Sequence, residues 1–202
     1  MTIHTVGIIG AGTMGNGIAQ ACAAAGIDVL MQDINEAALE RGLKTVSGSL
    51  DRLVKKGSID DARKAEIMAR IRATPRPDDL AAADLVIEAA TENEDLKVRI
   101  LKSVEAIVKP GAIIATNTSS ISITRLAAAT HHPERFVGMH FFNPVPVMAL
   151  VEIIRGLRTS DETVAAVSEL ARRLGKTPIG VRNSAGFVVN RILCPMINEA
   201  IF

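Results

Sequence analysis

Two side chains in the second half of the chain could transfer a proton. His140 ends one apolar, β-branched run, and Glu152 lies twelve residues later in the next such run. Imidazole suits the task of taking the hydroxyl proton of a secondary alcohol as hydride leaves the carbon. In a hairpin-like return, Glu152 could bond the second ring nitrogen, fix its tautomer and stabilise the imidazolium. Taken alone, His140 is more simply a satisfied core residue, and Glu152 could be a solvated charge at a strand end.

A glycine-rich stretch near the N-terminus has the spacing that binds a dinucleotide. Gly10, Gly12 and Gly15 form G-x-G-x-x-G between a predicted strand and a helix that begins near Met14. The first glycine permits a tight turn, the second lets the backbone approach a pyrophosphate, and the third lets helix and strand pack closely. Free N–H groups at the helix start would bind the phosphate charge. Because the motif alone is weak, the flanking elements have to support it.

An acidic residue at the end of the next strand supplies that support. The second predicted strand ends at Asp33, 18 residues after Gly15. A carboxylate there can accept hydrogen bonds from both hydroxyls of an adenosine ribose, and its charge repels a 2′-phosphate. The pattern therefore predicts NAD rather than NADP, against the alternative of a ligand-free glycine turn followed by an ordinary exposed aspartate.

The arrangement of apolar runs predicts the scaffold that holds these residues. The runs alternate with longer Ala-rich helical patterns, which is typical of an α/β fold with a Rossmann-like, mainly parallel sheet. Between the second and third runs, Glu36 to Arg72 contains two charged helical patterns broken near Gly57, so we expect a projecting helical pair. The predicted strands are Val6 to Ile9, Ile27 to Met31, Leu85 to Glu88, Ala112 to Thr116, Phe136 to His140, Leu150 to Ile154 and Thr177 to Val181.

The last residues are expected to belong to a second domain. We divide the chain into an NAD-binding Rossmann-like domain over 1–183 and, over 184–202, a linker with the first helix of an all-α C-terminal domain. An apolar helix begins at Phe187, and Asn198 to Phe202 have neither a C-cap nor a polar tail. We therefore expect that the chain is cut inside the second domain.

The charge balance and the cysteine content limit the kinds of molecule that this protein is expected to bind. With 23 basic and 22 acidic residues, the chain has a formal net charge of +1, which argues against a nucleic-acid surface or a polybasic membrane patch. Cys22 and Cys194 lack the spacing of a metal or redox motif, which indicates reduced core thiols and no metal site. No leader and no membrane-spanning run is evident, so we expect a soluble, cytoplasmic protein.

Six short motifs follow one another along the chain. They are G-A-G-T-M-G from Gly10, E-A-A-T-E-N from Glu88, N-T-S-S from Asn117, H-F-F-N-P-V-P from His140, L-V-E from Leu150 and G-F-V-V-N-R from Gly186. Together they resemble the 3-hydroxyacyl-CoA dehydrogenase family, and within it the bacterial 3-hydroxybutyryl-CoA dehydrogenases. The resemblance covers essentially the whole chain and implies NAD-dependent oxidation of an (S)-3-hydroxyacyl-CoA with a short acyl chain to the 3-ketoacyl-CoA, and the reverse reaction. It also implies a place in fatty-acid β-oxidation or butanoate and hydroxybutyrate metabolism.

The resemblance also assigns roles to individual residues. It implies that His140 is the acid/base and Glu152 its orienting partner, with Ser119 and Asn190 around the reacting oxygen and the imidazole. For coenzyme A it implies Ser49 and Lys56, on the helical pair, together with Ser119. The implied cofactor contacts are Gly10, Ala11, Gly12, Thr13, Met14, Gly15, Asp33, Glu92, Lys97, Asn117 and Asn143. From the residues alone, Glu92 to Arg99 could be an exposed helix start, and the helical pair could present a solvated charged face.

Two departures from the family leave other functions open. The family continues into a helical domain that closes over the acyl chain and supplies most of the dimer contact, whereas this sequence ends at Phe202. Ala185 also stands where the family has Pro, which loosens the linker. A homodimer is expected where the helical domain is present. The alternatives are a module that binds NAD and coenzyme A with little turnover, and an association helix over 187–202.

Overall fold

A computed structural model describes residues 2–201 and contains one eight-stranded sheet. The strands are β1 Thr5–Ile9, β2 Asp28–Gln32, β3 Ile71–Thr74, β4 Leu85–Glu88, β5 Ile113–Thr116, β6 Phe136–Phe141, β7 Leu150–Arg155 and β8 Thr177–Arg182. The α-helices are α1 Thr13–Ala24, α2 Glu36–Lys55, α3 Asp61–Ala69, α4 Glu94–Glu105, α5 Ile123–Ala127, α6 Asp161–Arg173 and α7 Val189–Ile201. Short 3-10 helices cover Pro77–Ala82 and Pro133–Arg135.

The strand order confirms the predicted mainly parallel α/β fold. The order is β3-β2-β1-β4-β5-β6-β7-β8, and only the β6–β7 pair is antiparallel among the described strands. The chain runs outward from β1 to β3 on one side and then restarts at β4 on the other side. Such a reversal opens a crevice at the carboxyl ends of β1 and β4, where open α/β sheets bind ligands.

One strand was missing from the sequence prediction. The second helical pattern ends at Ala69, and Ile71–Thr74 then pairs in parallel with β2, so Arg72 lies in a strand and not in a helix. The strand is four residues long, contains a charge and forms the edge of the sheet. A short, charged edge strand of this kind shows little alternation of apolar and polar residues in its sequence, because it becomes a strand through pairing with its neighbour.

Apolar side chains pack on both faces of the sheet. On one face, Val46 and Leu50 of α2 and Ile67 of α3 join the cluster formed with α1 and α6. The expected helical pair is therefore present, and its inner side packs against α1. On the other face, α4 and α5 contribute Leu101 and Leu126 to a second cluster. Burial on both faces explains the nearly continuous apolar character of the central strands.

Helix α7 differs from the other helices because it has no buried residue. Its apolar side chains include Ile192 and Met196, which are 63% and 57% exposed. Cys194 is also exposed, so the expectation that both cysteines are core thiols is wrong for Cys194, while Cys22 is buried. Burial raises the pKa of the Cys22 thiol to about 12. Phe202 lies outside the described residues, and no helix over 2–201 is long and apolar enough to cross a membrane.

A carboxylate at the amino-terminal ends of the central strands, opposite the crevice, connects three segments of the chain. Asp84 accepts hydrogen bonds from the backbone N–H groups of His4 and Thr5 at 2.7 and 2.9 Å, and from Lys109 Nζ at 2.6 Å. Burial alone would raise the pKa of Asp84, but the Lys109 and backbone hydrogen bonds outweigh it and lower that pKa below its ordinary value. The charged form therefore stabilises the fold.

We predict that Asp84→Asn lowers the free energy of unfolding by about 1 kcal/mol near neutral pH. A lowered folded pKa gives stability that is complete above the unfolded pKa, about 4, and is lost as the pH falls through the folded value. Urea unfolding of both proteins across this range checks the prediction. A difference that stays constant with pH would show that the carboxylate charge is not its source.

Candidate active site

Backbone crowding at the crevice explains two of the three glycines. Gly10 has a φ of 98°, and a Cβ there would lie 2.8 Å from the carbonyl oxygen of Ala89. A Cβ on Gly15 would lie 1.8 Å from the carbonyl oxygen of Gly10, so α1 can start this close to β1 only with glycine at that position. The turn and the helix start are therefore held by contacts within the protein itself.

Gly12 is different, because no protein atom explains it. A Cβ on Gly12 would meet nothing within 4 Å over the described residues, and its φ of −67° suits any residue. Gly12 is the N-cap of α1 and offers no side-chain cap, whereas α2 to α6 each begin with a side chain that accepts from the first turn. The N–H groups of the first turn of α1, which include those of Thr13 and Met14, are thus directed at the open space beside Gly12. This arrangement suits an anionic ligand.

Asp33 joins the glycine loop to the end of β2. Its Oδ2 accepts the Ala11 N–H at 2.9 Å and its Oδ1 accepts the Asn35 N–H at 3.0 Å. Beside it lies a mostly apolar cavity of about 450 Å³, whose wall includes Gly10, Ile34 and Ile100. A carboxylate at the rim of an apolar slot suits a nucleoside, with the base against the aliphatic walls and the ribose at Asp33.

His140 and Glu152 face each other across the antiparallel pair β6–β7. The strand register places them directly opposite, and His140 Nδ1 lies 2.6 Å from Glu152 Oε2. Glu152 is fully buried, and its Oε1 accepts the N–H groups of Val188 at 2.8 Å and Val189 at 3.0 Å. The carboxylate therefore holds the imidazole with one oxygen and the start of α7 with the other. With Nδ1 donating to Glu152, Nε2 is the ring nitrogen that can accept a proton.

Two aromatic rings that sequence reasoning missed surround this imidazole. Phe142 and Phe187 lie with ring centroids 4.4 and 5.9 Å from that of His140. Phe187 is buried and has a φ of 52°, which is unusual for a bulky residue and places its ring against the site. The sequence prediction began the last helix at Phe187, whereas α7 begins at Val189, and Gly186 and Phe187 both have positive φ ahead of it. Apolar walls limit the water around the imidazole.

Seven of the predicted site residues, His140 among them, line one cavity. This cavity has a volume of about 330 Å³ and is lined by Met14, Ala89, Ala90, Glu92, Lys97, Asn117, Ser119, His140, Phe141, Phe142 and Asn143. Ala90 also lines the Asp33 cavity, so the two cavities meet beside the glycine loop. Asn190 approaches from α7 and donates from Nδ2 to the carbonyl oxygen of Ser119 at 3.3 Å.

Glu92 organises the loop that contains Ser119. Its Oε1 accepts from the Thr118 hydroxyl at 2.5 Å, from the Ser119 N–H at 2.8 Å and, at 3.3 Å, from the Ser120 hydroxyl. Burial would raise the pKa of Glu92, but these hydrogen bonds and the Lys97 charge lower it below its ordinary value. Glu92 is therefore an anion at the cavity rim. Lys97, by contrast, is 1% exposed and forms part of the cavity wall.

Two predicted residues lie away from this cavity, and the side-chain oxygen of a third is used within the protein. Ser49 lies inside α2 and Lys56 is its exposed C-cap residue, and neither lines the cavity around His140. Asn117 lines it but uses its Oδ1 to accept the Phe141 N–H at 2.9 Å, which ties the ends of β5 and β6 together. Among residues 2–201, no three His, Cys, Asp or Glu side chains are grouped so as to hold a metal ion.

A family profile and individual relatives of known name match this chain over nearly its whole length. The profile of the family described as "3-hydroxyacyl-CoA dehydrogenase, NAD binding domain" matches residues 5–184. The 3-hydroxybutyryl-CoA dehydrogenase of Bradyrhizobium diazoefficiens is 52% identical over 200 residues, which are 99% of this chain and 68% of that protein. The fatty acid oxidation complex subunit alpha of Acinetobacter baylyi is 48% identical over 193 residues, 96% of this chain and 27% of that protein.

A solved structure extends the similarity to the whole described fold. The (S)-3-hydroxybutyryl-CoA dehydrogenase PaaH1 from Ralstonia eutropha is 66% identical, with a TM-score of 0.97, over 98% of this chain and 70% of that one. The family profile, the sequence relatives and this structure all indicate the same family. The chain therefore belongs to the 3-hydroxyacyl-CoA dehydrogenase family, whose members are NAD-dependent oxidoreductases.

Proposed function

We propose that this protein oxidises (S)-3-hydroxyacyl-CoA, with 3-hydroxybutyryl-CoA as the preferred substrate, to the 3-ketoacyl-CoA and catalyses the reverse reaction. The observation that supports it most is the His140–Glu152 contact of 2.6 Å beside a cavity that adjoins the glycine loop. Relatives named for 3-hydroxybutyryl-CoA support the choice of substrate. NAD, when bound, supplies the acceptor for the hydride that leaves the substrate carbon.

In this proposal His140 acts as the general base in oxidation and the general acid in reduction. Its Nε2 takes the substrate hydroxyl proton as the C–H electron pair leaves, so that the C–O bond becomes a carbonyl. The imidazolium that forms is stabilised by the Glu152 carboxylate at Nδ1, which also fixes the tautomer. Ser119 and Asn190 lie on the side of the cavity where the substrate oxygen would be held.

The two joined cavities support a cofactor that spans the glycine loop. We assign the adenosine to the apolar cavity at Asp33 and the pyrophosphate to the N–H groups around Gly12. The nicotinamide side then falls in the cavity with Glu92, Asn117 and Asn143. In this division residues 1–183 form the NAD-binding unit, and residues 184–202 form a linker and the first helix of a C-terminal helical domain.

We assign coenzyme A to the surface of α2, at Ser49 and Lys56. The last turn of this helix also contains Arg52 and Lys55, so several cations could meet the phosphates of the substrate. The basic helix end would then bind the nucleotide portion while the thioester reaches Ser119. By family likeness, we also propose that the protein is cytoplasmic, acts in fatty-acid or hydroxybutyrate metabolism and forms a homodimer where the C-terminal helical domain is present.

A turnover assay tests this function. The purified 202-residue chain should oxidise NADH when acetoacetyl-CoA is added, with activity that saturates in both compounds. Because the charge of Asp33 opposes a 2′-phosphate, we predict that kcat/KM with NADPH is at least about tenfold lower than with NADH.

The same assay separates the alternatives. NADH binding without acetoacetyl-CoA-dependent oxidation would support a module that binds NAD and coenzyme A without turnover. Equal rates with NADPH would contradict the role of Asp33 while leaving the reaction in place.

A further inference from the structure

A buried ion pair lies directly behind the cavity that contains His140. Glu88 ends β4 and is 0% exposed, and Lys97 of α4 is 1% exposed. Lys97 Nζ lies 2.9 Å from Glu88 Oε1 and 2.7 Å from Oε2. The Thr116 hydroxyl donates to Oε2 at 2.6 Å and the Ala90 N–H to Oε1 at 2.9 Å. The carboxylate therefore has four hydrogen bonds and joins β4, β5 and α4 next to both cavities.

A second carboxylate competes for the same ammonium. Lys97 Nζ also lies 3.5 Å from Glu92 Oε2, and over residues 2–201 Glu88 and Glu92 are the two carboxylates in ion-pair contact with it. The contact with Glu92 is longer than those with Glu88, and the Glu92 side chain is 41% exposed against 0% for Glu88. The ammonium therefore lies closer to Glu88 than to Glu92, whose side chain lies at the cavity rim.

We propose that Glu88 is a positioning residue of the dehydrogenase. It keeps Lys97 from moving closer to Glu92 than the present 3.5 Å contact, and so keeps the Glu92 carboxylate available to a hydroxyl of the cofactor and aligned on the Thr118–Ser120 loop. Without Glu88, a buried ammonium would need another anion, and Glu92 is the neighbouring one. Glu88 itself does not touch cofactor or substrate. The inference rests on the proposed function, because it assumes that NADH binds in this cavity.

A double-mutant cycle on NADH affinity tests the proposal. We expect Glu88→Gln to raise the Kd for NADH about tenfold in the wild-type background and less than about twofold in a Lys97→Met background, because Glu88 acts through Lys97. Binding is measured by NADH fluorescence, and the thermal midpoint of each variant is recorded alongside. Asp84→Asn is the control for destabilisation alone, since it removes an ion pair at the opposite, amino-terminal end of the strands and should leave the Kd unchanged.

The outcomes separate positioning from a merely structural role. Wild-type affinity in folded Glu88→Gln, or an equal loss in both backgrounds, would overturn the proposal. If Glu88→Gln does not fold, Glu88→Asp decides, because it keeps the charge and shortens the side chain. A Kd raised about threefold or more in Glu88→Asp supports positioning, and wild-type affinity there overturns it. A wild-type chain that does not bind NADH at all would instead reject the proposed cofactor site, and this inference with it.

Discussion

Replacing His140 with alanine should lower kcat by about 10²- to 10⁴-fold, the usual contribution of a positioned general acid or base. The buried carboxylate of Glu152 and two aromatic rings hold this imidazole, so we expect its removal to take away the proton acceptor without disturbing the glycine loop. The Kd for NADH should therefore stay within about twofold of wild type, since the base acts mainly in the transition state.

The control for this experiment is a histidine outside the cavity. His131 is exposed, and its backbone N–H is the group that bonds to Glu105. His131→Ala should therefore leave kcat unchanged. A His140→Ala protein with kcat within about tenfold of wild type would contradict the assignment of the base.

Glu152→Gln is a less clean test of the same pair. The carboxylate also accepts the N–H groups of Val188 and Val189, so the amide would disturb the start of α7 as well as the imidazole. A loss of activity in that variant would not separate the two effects.

Replacing Gly12 with alanine should weaken NADH binding by about 5- to 150-fold, which corresponds to an overpacking cost of about 1–3 kcal/mol. The protein itself has room for this methyl group, since nothing described lies within 4 Å of a Cβ at Gly12 and the backbone suits alanine. Alanine is a poorer N-cap than glycine but lowers the entropy of the unfolded chain, so the free energy of unfolding, measured with urea, should change by no more than about 1 kcal/mol. The methyl group would conflict only with a pyrophosphate that lies against the backbone.

Gly15→Ala provides the contrast for this experiment. Its Cβ would lie 1.8 Å from the carbonyl oxygen of Gly10, so the variant should lose stability whether or not a ligand is present. A stable Gly12→Ala protein that binds NADH as tightly as wild type would show that the pyrophosphate does not approach this glycine.

The pattern of apolar runs predicted those strands whose own residues favour the strand conformation. Seven of the eight strands coincide with the apolar runs, since each combines a buried position in a two-faced sheet with β-branched residues. β3 was missed because Ile71–Thr74 becomes a strand only through its pairing with β2. The exposure of Cys194 was missed for a similar reason, because helical periodicity does not show what α7 packs against.

The features of the site that depend on the order of the strands and motifs along the chain could be predicted from the sequence. His140 and Glu152 lie in consecutive runs, and the antiparallel β6–β7 pair places them opposite one another. The Glu88–Lys97 pair was not foreseen, because the burial of a lysine depends on α4 packing back against the end of β4. Nor could spacing show that Glu152 also accepts the N–H groups at the start of α7.

The most direct test of the account is a crystal structure of the protein with NAD⁺ and acetoacetyl-CoA, in which one distance is measured. We predict that the 3-keto oxygen lies within about 3.2 Å of His140 Nε2, while Nδ1 keeps its contact with Glu152. A complex in which the keto carbon faces the nicotinamide but its oxygen points away from His140, towards another donor, would contradict the proposed chemistry.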